Sequence, residues 1–321
     1  MRYKRFNLNL LAALDALLKE QSATRAAQRV NVSQPAMSTA LAQLRDHFQD
    51  EILIRVGRSF ALTPLGEELS HSVRDLMIQT EAALDTRSSF DPATSGRRFR
   101  LQMSDYVATV LFSDLARAAH RLAPGVSFEL FPPQPRLHGS VERGETDLVV
   151  VPQEFISTNH PSEPLFQDRY ICMAWSKGTR FGAQISLKQY LESGHVVATP
   201  GGQLERISTL VDQWLYREFG EARHLEIITS EFSSIPPFVV GTDRIATVAE
   251  KLAQYFGRLL PLRVWRAPFN APPLMICTQW NRHREKDHGI RWLRGLLKAT
   301  VAEWRRPAPA TNPRRRAAAS A

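Results

Sequence analysis

The chain has 321 residues, of which 43% are hydrophobic, and a formal net charge of +9. This length predicts two or three domains with real cores, and the positive charge suits a polyanionic partner such as nucleic acid. The sequence contains no run of about 18 apolar residues that would indicate a membrane span, and no cleavage site follows its basic N-terminus. Two cysteines, Cys172 and Cys277, are too few for a disulfide framework or a structural zinc site. We therefore expect a cytoplasmic protein without a membrane segment, cofactor or metal.

The first third of the chain predicts short helices. Apolar residues at helical spacing from Leu10 to Leu18 predict one helix, and the segment from Thr24 to Val30 predicts a second. Asn31-Val32-Ser33 is typical of a tight turn in which Ser33 caps a third helix over about 34–48. Two short helices joined by a tight turn are the pattern of a helix-turn-helix.

At 100° per residue, the third helix separates an apolar face from a polar one. The apolar face consists of Met37, Ala40, Leu41, Leu44 and Phe48. The polar side carries Gln34, Ser38, Thr39 and Arg45, whose amide, hydroxyl and guanidinium groups can hydrogen-bond base edges and phosphates. Pro35 lies on the same side. Capping and solvation of the helix is the alternative explanation for Gln34 and Ser38.

A β-hairpin over about 52–62 follows, with Gly57 in its turn and Arg55 and Arg58 beside it. This hairpin completes a winged helix-turn-helix over residues 1–62. Residues 63–87 then predict a long linker helix with one apolar stripe, where the helix of a partner chain could pack. Packing of this helix onto its own domain is the alternative.

From Arg98 onward strands and helices alternate, which predicts parallel sheets covered by helices on both faces. Crossovers at 169–174 and 263–268 divide the α/β domain, 88–303, into two Rossmann-like lobes. Lobe I comprises about 97–168 and 268–303, and lobe II about 169–267. The segment 304–321 is rich in arginine, proline and alanine, which is typical of a disordered basic tail.

Ligands in open α/β sheets bind beyond the carboxyl ends of strands. This rule selects Ser104, Asp105, Phe131, Thr199, Gly201, Gly202 and Gln203. Free backbone N–H groups at a helix start would suit a carboxylate or nitro group. An ordinary turn between strand and helix explains any one of these residues equally well.

Two sets of motifs carry a family resemblance. The first includes Ala26-Ala27, Ser33-Gln34-Pro35-Ala36-Met37-Ser38, Leu53, Arg55 and Leu62-Thr63-Pro64-Leu65-Gly66. The second includes Phe90-Asp91-Pro92, Met103-Ser104-Asp105, Gly241-Thr242-Asp243-Arg244 and Gln279-Trp280. Together they resemble the LysR-type transcriptional regulators over residues 6–303. Within that family they look like the subgroup around the NodD nodulation regulators and the regulators of nitroaromatic and naphthalene catabolism.

The resemblance implies a sequence-specific regulator in which side chains of the third helix meet base edges in the major groove. Those side chains are Gln34, Pro35 and Ser38. Arg55 and Arg58 would reach phosphate or the minor groove. Thr39 stands where many family members carry arginine, so one charged interaction with DNA would be absent or supplied by Arg45.

The resemblance also implies partners: double-stranded promoter DNA, RNA polymerase, and further copies of the chain in homodimers and homotetramers. It implies lobes like those of periplasmic binding proteins, with a small effector between them. The subgroup likeness indicates an aromatic effector and an activator. The alternative is a sensor or solute-binding protein without DNA readout.

An enzyme is not expected from the sequence. Residues 200–203 lack the end of a phosphate-binding loop, and no nucleophile elbow is present. His283 and His288 are five residues apart, which places them about 140° apart on a helix rather than on one metal-binding face.

Overall fold

The computed structural model describes residues 7, 9–57, 59–84, 90–133, 137–199, 210–220 and 223–304. Within these ranges, no helix combines the length and the apolar character needed to cross a membrane. An all-α winged helix-turn-helix, a long linker helix and an α/β domain with two lobes follow one another along the chain. The predicted fold class is therefore confirmed.

The N-terminal domain consists of three helices and a hairpin: α1 (Leu10–Glu20), α2 (Ala23–Arg29), α3 (Gln34–Phe48), β1 (Leu53–Val56) and β2 (Ser59–Leu62). Its core contains Leu14, Leu17 and Leu44, whose side chains have no exposed surface. Asn31 forms the turn between α2 and α3 with φ +55°, a left-handed conformation that asparagine tolerates better than most residues.

The linker helix α4 (Pro64–Leu84) starts at a tight corner. The Thr63 hydroxyl accepts a hydrogen bond from the Gly66 amide at 3.0 Å and so caps the helix. A Cβ atom on Gly66 would lie 2.7 Å from the Ile52 carbonyl oxygen. The Thr-x-x-Gly motif therefore has a steric cause: only glycine lets the helix start this close to the wing.

The apolar residues of α4 differ in their surroundings. Val73 is buried, and Leu69 and Met77 pack partly against the core of the N-terminal domain. By contrast, Leu76 is 49% exposed and Leu84 is 80% exposed. Part of the apolar stripe therefore packs onto its own domain, and part of it faces outward.

The α/β domain contains the remaining elements. In chain order they are β3 (Arg98–Met103), α5 (Asp105–Val107), a π-helical segment (Ala108–Phe112), α6 (Ser113–Leu122), β4 (Ser127–Phe131), α7 (Leu137–Glu142), β5 (Leu148–Pro152), β6 (Ser162–Asp168), β7 (Tyr170–Trp175), α8 (Leu187–Leu191), β8 (Gly194–Ala198), α9 (Leu210–Phe219), β9 (His224–Thr229), α10 (Ile235–Val239), β10 (Ile245–Ala249), α11 (Glu250–Phe256), β11 (Leu262–Arg266), β12 (Leu274–Gln279) and α12 (His288–Glu303). Short 3-10 turns span 153–155, 232–234 and 282–284.

Among the described residues each lobe has one five-stranded sheet, in the order β4-β3-β5-β12-β6 for lobe I and β11-β7-β10-β8-β9 for lobe II. The prediction of parallel sheets is correct for only part of each sheet. Three strands of each sheet are parallel, but the two that carry the chain between the lobes are paired antiparallel to their neighbours. The chain leaves lobe I through β6 and β7 and returns through β11 and β12 in the opposite direction. Adjacent outgoing and returning strands must therefore be antiparallel.

The two lobes share one hydrophobic core cluster. Leu101 and Met103 contribute from lobe I, and Met173, Val196 and Ala246 contribute from lobe II. The strand ends that the sequence analysis selected therefore lie in a domain whose two halves are packed against each other.

Candidate nucleic-acid interface and effector cleft

Helix α3 projects a polar face from the N-terminal domain. The Ser33 hydroxyl caps the helix by accepting a hydrogen bond from the Ala36 amide at 3.3 Å. Met37 is 1% exposed and Leu44 is fully buried, so the apolar face is fixed in the core. Packing of the apolar face therefore fixes the opposite, polar face toward solvent.

Four of the predicted DNA-binding residues of α3 are exposed: Gln34, Pro35, Ser38 and Thr39. The Gln34 side-chain amide donates to the Ser38 hydroxyl at 3.0 Å, and the Thr39 hydroxyl donates to the Pro35 carbonyl at 3.1 Å. Ser33, rather than Gln34 or Ser38, provides the cap. The Gln34–Ser38 bond joins the two side chains on the surface of the helix.

Arg45, another predicted DNA contact, is used within the protein. Its Nε donates to the Glu51 carbonyl at 2.9 Å, and its Nη2 donates to the Leu53 carbonyl at 3.1 Å. Nη2 also lies 2.9 Å from the Glu51 carboxylate. Since these acceptors belong to the segment that leads from α3 into β1, Arg45 positions the wing against the end of α3.

The loop before the wing is held by a second set of bonds. One oxygen of Asp50 accepts hydrogen bonds from the Thr63 hydroxyl at 2.7 Å and from the Ile52 amide at 2.6 Å. These two hydrogen bonds, the Thr63 bond first, lower the pKa of the Asp50 carboxyl. Ile52 has φ +62° and a fully buried side chain, a conformation that β-branched residues rarely adopt. Surrounding contacts therefore hold this loop in one shape.

The wing hairpin extends away from the domain beyond Leu53. Arg55 is exposed, and its Nε donates to the Gly57 carbonyl at 3.2 Å across the turn. Arg58, the other predicted wing contact, lies outside the described residues. Three apolar side chains of the hairpin are also exposed, namely Ile54, Val56 and Phe60. None of these three side chains was predicted to have a role.

Ser104 and Asp105 lie at the carboxyl end of β3, as predicted. The Ser104 hydroxyl accepts from the Val107 amide at 3.3 Å and caps α5. The Asp105 carboxylate accepts from the Ser233 amide of lobe II at 2.6 Å. Asp105 therefore connects the two lobes, a role that the sequence analysis did not assign to it.

A second group of contacts involving both lobes lies beside Asp105. The Tyr106 hydroxyl donates to Asp168 at 2.6 Å, and burial together with the Asp168 charge raises the pKa of Tyr106. Asp168 also accepts from the Lys251 amide at 3.2 Å. The rings of Tyr106 and Phe232 meet edge to face across the lobes, with centroids 6.3 Å apart. The lobes are thus joined by polar and aromatic contacts beside Asp105.

The other predicted effector residues are held within their own lobes. The Phe131 ring, half-buried at the end of β4, lies under the Arg100 guanidinium at 4.7 Å. The Thr199 amide donates to the Thr229 carbonyl at 2.8 Å and extends the β8–β9 pairing. Gly201, Gly202 and Gln203 lie outside the described residues, as does the predicted tail beyond residue 304.

Lobe II contains a buried polar network that the sequence analysis missed. The Arg223 side chain is 1% exposed, and it donates to Asp212 at 2.6 Å and to the Tyr190 hydroxyl at 3.2 Å. The Tyr190 hydroxyl lies 2.7 Å from the Thr247 hydroxyl. His195 is also fully buried; burial, reinforced by the Arg223 charge, lowers its pKa to about 3. No local pattern identifies this network, because its members come from five separate segments of the chain.

The histidines that the sequence analysis tested as metal ligands have other surroundings. His283 lies in a 3-10 turn with its Nε2 3.1 Å from the Asp75 carboxylate of α4, and His288 is the first residue of α12. Within the part of the chain that the structure describes, no group of three or more His, Cys, Asp or Glu side chains could hold a metal ion.

Comparisons with known proteins match both parts of the chain. The family model for bacterial regulatory helix-turn-helix proteins of the lysR family matches residues 8–67, and the LysR substrate binding domain matches residues 93–302. The chain is 38% identical over 297 residues to Nodulation protein D 2 of Rhizobium tropici, covering 92% of this chain and 93% of that protein.

Two solved structures are also similar. A probable transcriptional regulator from Pseudomonas aeruginosa superimposes with a TM-score of 0.64 at 26% identity, covering 92% of this chain and 97% of that one. The regulatory domain of MexT, a transcriptional activator in Pseudomonas aeruginosa, has a TM-score of 0.57 at 25% identity and covers 65% of this chain and 100% of that one. Since family models match at both ends of the chain and the sequence likeness spans nearly all of it, this chain belongs to the LysR-type transcriptional regulators, which combine a DNA-binding helix-turn-helix with an effector-binding domain.

Proposed function

We propose that this regulator reads promoter DNA with the polar face of α3 and activates transcription when a small aromatic effector binds between its lobes. The observation that carries the DNA reading is the joint exposure of Gln34 and Ser38, bonded to each other on the helix surface. An amide and a hydroxyl presented by a helix that fits the major groove can hydrogen-bond base edges.

The remaining DNA contacts divide by type. Pro35 and Thr39 extend the base-reading face of α3. Arg55 and Arg58 contact phosphate or the minor groove from the wing. Arg45 contributes by holding the wing in place, since its guanidinium is bonded to Glu51 and Leu53.

A double substitution tests the DNA reading. Gln34→Ala with Ser38→Ala should weaken binding to the preferred sequence by about 1–3 kcal/mol for each good base-edge interaction that the substitutions remove, and leave binding to scrambled DNA nearly unchanged. Fluorescence anisotropy at fixed salt measures both, with an operator selected by the wild-type protein from random DNA. Gln43→Ala, exposed on another side of α3, is the matched control. A folded double variant with undiminished sequence preference would contradict the proposal.

The effector site lies between the lobes and includes Ser104, Asp105, Phe131, Thr199, Gly201, Gly202 and Gln203. The Asp105–Ser233 bond supports this location, because a ligand there would meet both lobes. The Tyr106–Phe232 ring pair provides an apolar wall nearby, and the aromatic nature of the effector rests on the subgroup resemblance of the sequence.

Thermal shift measurements on the full chain test the effector class. Benzoate, salicylate and nitrobenzoate should raise the melting temperature, because a ligand that binds only the folded state stabilises it by an amount that grows with the logarithm of the ligand concentration once this exceeds the Kd. Acetate and succinate are the controls. A shift with the aliphatic acids alone would contradict the aromatic proposal.

The active form is a homodimer or homotetramer in the cytoplasm that engages RNA polymerase at the promoter and regulates rather than catalyses. The outward-facing Leu76 and Leu84 of α4 support pairing of linker helices between copies. The likeness to the regulatory domain of MexT, an activator, supports activation.

A further inference from the structure

Arg74, in the middle of the linker helix, contacts both domains at once. Its Nη1 lies 3.2 Å from the Asp15 carboxylate of α1, and both side chains are largely buried, at 12% and 13% exposure. Its Nε donates to the Arg143 carbonyl in lobe I. A buried ion pair depends on both partners, because removing one leaves an uncompensated charge. Arg74 therefore links the DNA-binding domain to the effector domain.

Further charges face the same contact. Lys19 lies one helical turn beyond Asp15 on α1. Burial and the charges of Arg29 and Arg74 lower the pKa of Lys19, whereas the charge of Glu145 in lobe I acts in the opposite direction. Helix α1 and the turn that follows α7 are thus close enough to influence each other electrostatically.

One turn further along α4, Ile78 packs against the same turn of lobe I. Ile78 has no exposed surface. Gly144 has φ +57°, and a Cβ atom on it would lie 2.6 Å from the Ile78 Cδ1 atom. The left-handed backbone at Gly144 favours glycine, and an added Cβ atom would force the end of the Ile78 side chain to move.

A second polar contact flanks this packing. Asp75 lies 3.1 Å from His283 Nε2, and the Gln79 side-chain amide lies 3.4 Å from the same nitrogen. Lobe I thus contacts α4 through two separate segments, 143–144 and the 3-10 turn at 282–284. A contact at two points resists rotation of the lobe better than a contact at one.

The lobe-facing residues occupy one side of α4. At 100° per residue, positions 74, 75, 78 and 79 fall within an arc of roughly 140°. The exposed Leu76 and Leu84 fall on the other side of the helix, at roughly 200° and 280° from Arg74. A partner helix and lobe I can therefore bind α4 at the same time.

We propose that Arg74, Asp75, Ile78 and Gln79 form an interdomain joint that fixes the angle between lobe I and the DNA-binding domain, with Arg74 as its positioning residue. The joint is the route by which movement of the lobes reaches α1 and the recognition helix. This last role rests on the proposed control by an effector, whereas the joint itself does not.

Distance measurements between spin labels test the joint. Labels at Gln28→Cys in α2 and Ala302→Cys in α12, both exposed positions, report the angle between the domains in the full chain. The native Cys172 and Cys277 are buried and do not compete for label. Labelled chains are diluted with unlabelled protein so that distances within one chain dominate.

The wild type and the control Glu68→Gln, an exposed position on the same helix, should give the same narrow distribution of distances. Arg74→Gln should widen this distribution by about twofold, because lobe I can then rotate relative to the DNA-binding domain. An unchanged distribution in a folded Arg74→Gln variant would overturn the proposal. If that variant does not fold, Asp75→Asn is measured instead, and an unchanged distribution there has the same consequence.

The measurement uses neither DNA nor effector. If the wild-type protein binds neither a preferred DNA sequence nor an effector, the proposed function is refuted but the proposed joint is not. If Arg74→Gln still binds operator and keeps the narrow distribution of distances, the joint is refuted but the proposed function is not.

Discussion

Arg45 has the helical angle of a DNA contact but the hydrogen bonds of a structural residue. Arg45→Ala should weaken operator binding, because the wing loses its support, while the dependence of affinity on salt stays the same. Arg55→Ala should instead reduce the slope of log affinity against log salt by about 1, as expected when one phosphate interaction is removed. Anisotropy titrations over about 50–200 mM salt separate the two effects. A reduced slope for Arg45→Ala would show that it contacts phosphate after all.

His195 makes the stability of lobe II depend on pH. Burial lowers its pKa from 6.5 to about 3, so below pH 6.5 the unfolded chain takes up a proton that the folded chain does not. Stability is therefore complete above pH 6.5 and falls as the pH decreases toward 3. Between pH 6.5 and 5 we expect a loss of about 1–2 kcal/mol.

Urea unfolding at pH 7 and pH 5 checks this expectation. His195→Gln should lose less stability between the two values than the wild type, and His120→Gln, at an exposed position, should behave like the wild type. Equal losses in all three proteins would show that His195 does not cause the effect.

At this scale the sequence predicted which side of α3 is polar, because the 3.6-residue period fixes the direction of each side chain. It did not predict that Arg45 is bonded within the protein, since its acceptors lie on a loop that folds back over the end of the helix. The connection made by Asp105 was also missed, because its partner, Ser233, is 128 residues away in the sequence.

At the scale of elements, the corner between wing and linker helix depends on the space at Gly66. Gly66→Ala should destabilise the N-terminal domain by about 2 kcal/mol, because the added Cβ meets a backbone oxygen that cannot move aside as a side chain would. Gly295→Ala is the matched control. No atom lies within 4 Å of a Cβ there, so in α12 it should be neutral or stabilise by roughly 0.5–1 kcal/mol.

Thermal unfolding followed by helical circular dichroism measures both variants. A Gly66→Ala protein as stable as the wild type would mean that the wing shifts to accommodate the methyl group.

The long or regularly patterned elements were predictable from sequence, and the short ones were not. The apolar stripe of α4 extends over about six turns, which local periodicity can detect. By contrast α10 has five residues, two of them proline, and its pattern resembles a loop. The mixed sheets could not be predicted from the alternation of elements alone, because the direction of β6 and β12 is decided by the route of the chain between lobes.

At the scale of the whole molecule, the Asp105–Ser233 bond ties the two lobes together. Asp105→Ala should lower the stability of the two-lobed domain by about 1–2 kcal/mol, since a hydrogen bond to a charged acceptor is removed. The Ser233 amide should then exchange its hydrogen faster. Hydrogen exchange measured by mass spectrometry on the full chain detects this change, and Asp105→Asn, which keeps an acceptor oxygen, should lie between the two. Unchanged exchange at Ser233 in the alanine variant would show that the lobes do not depend on this bond.

The double passage of the chain between lobes makes lobe II an insertion in lobe I. Its entry and exit lie side by side, since Asp168 and Leu274 are direct partners in the antiparallel β6–β12 register. A turn of about two residues would suffice to join them, and every strand of the lobe I sheet would remain in place. Residues 169–273 therefore form one inserted block, and an exchange of this block between relatives would have to preserve the side chains through which the two lobes share a hydrophobic core.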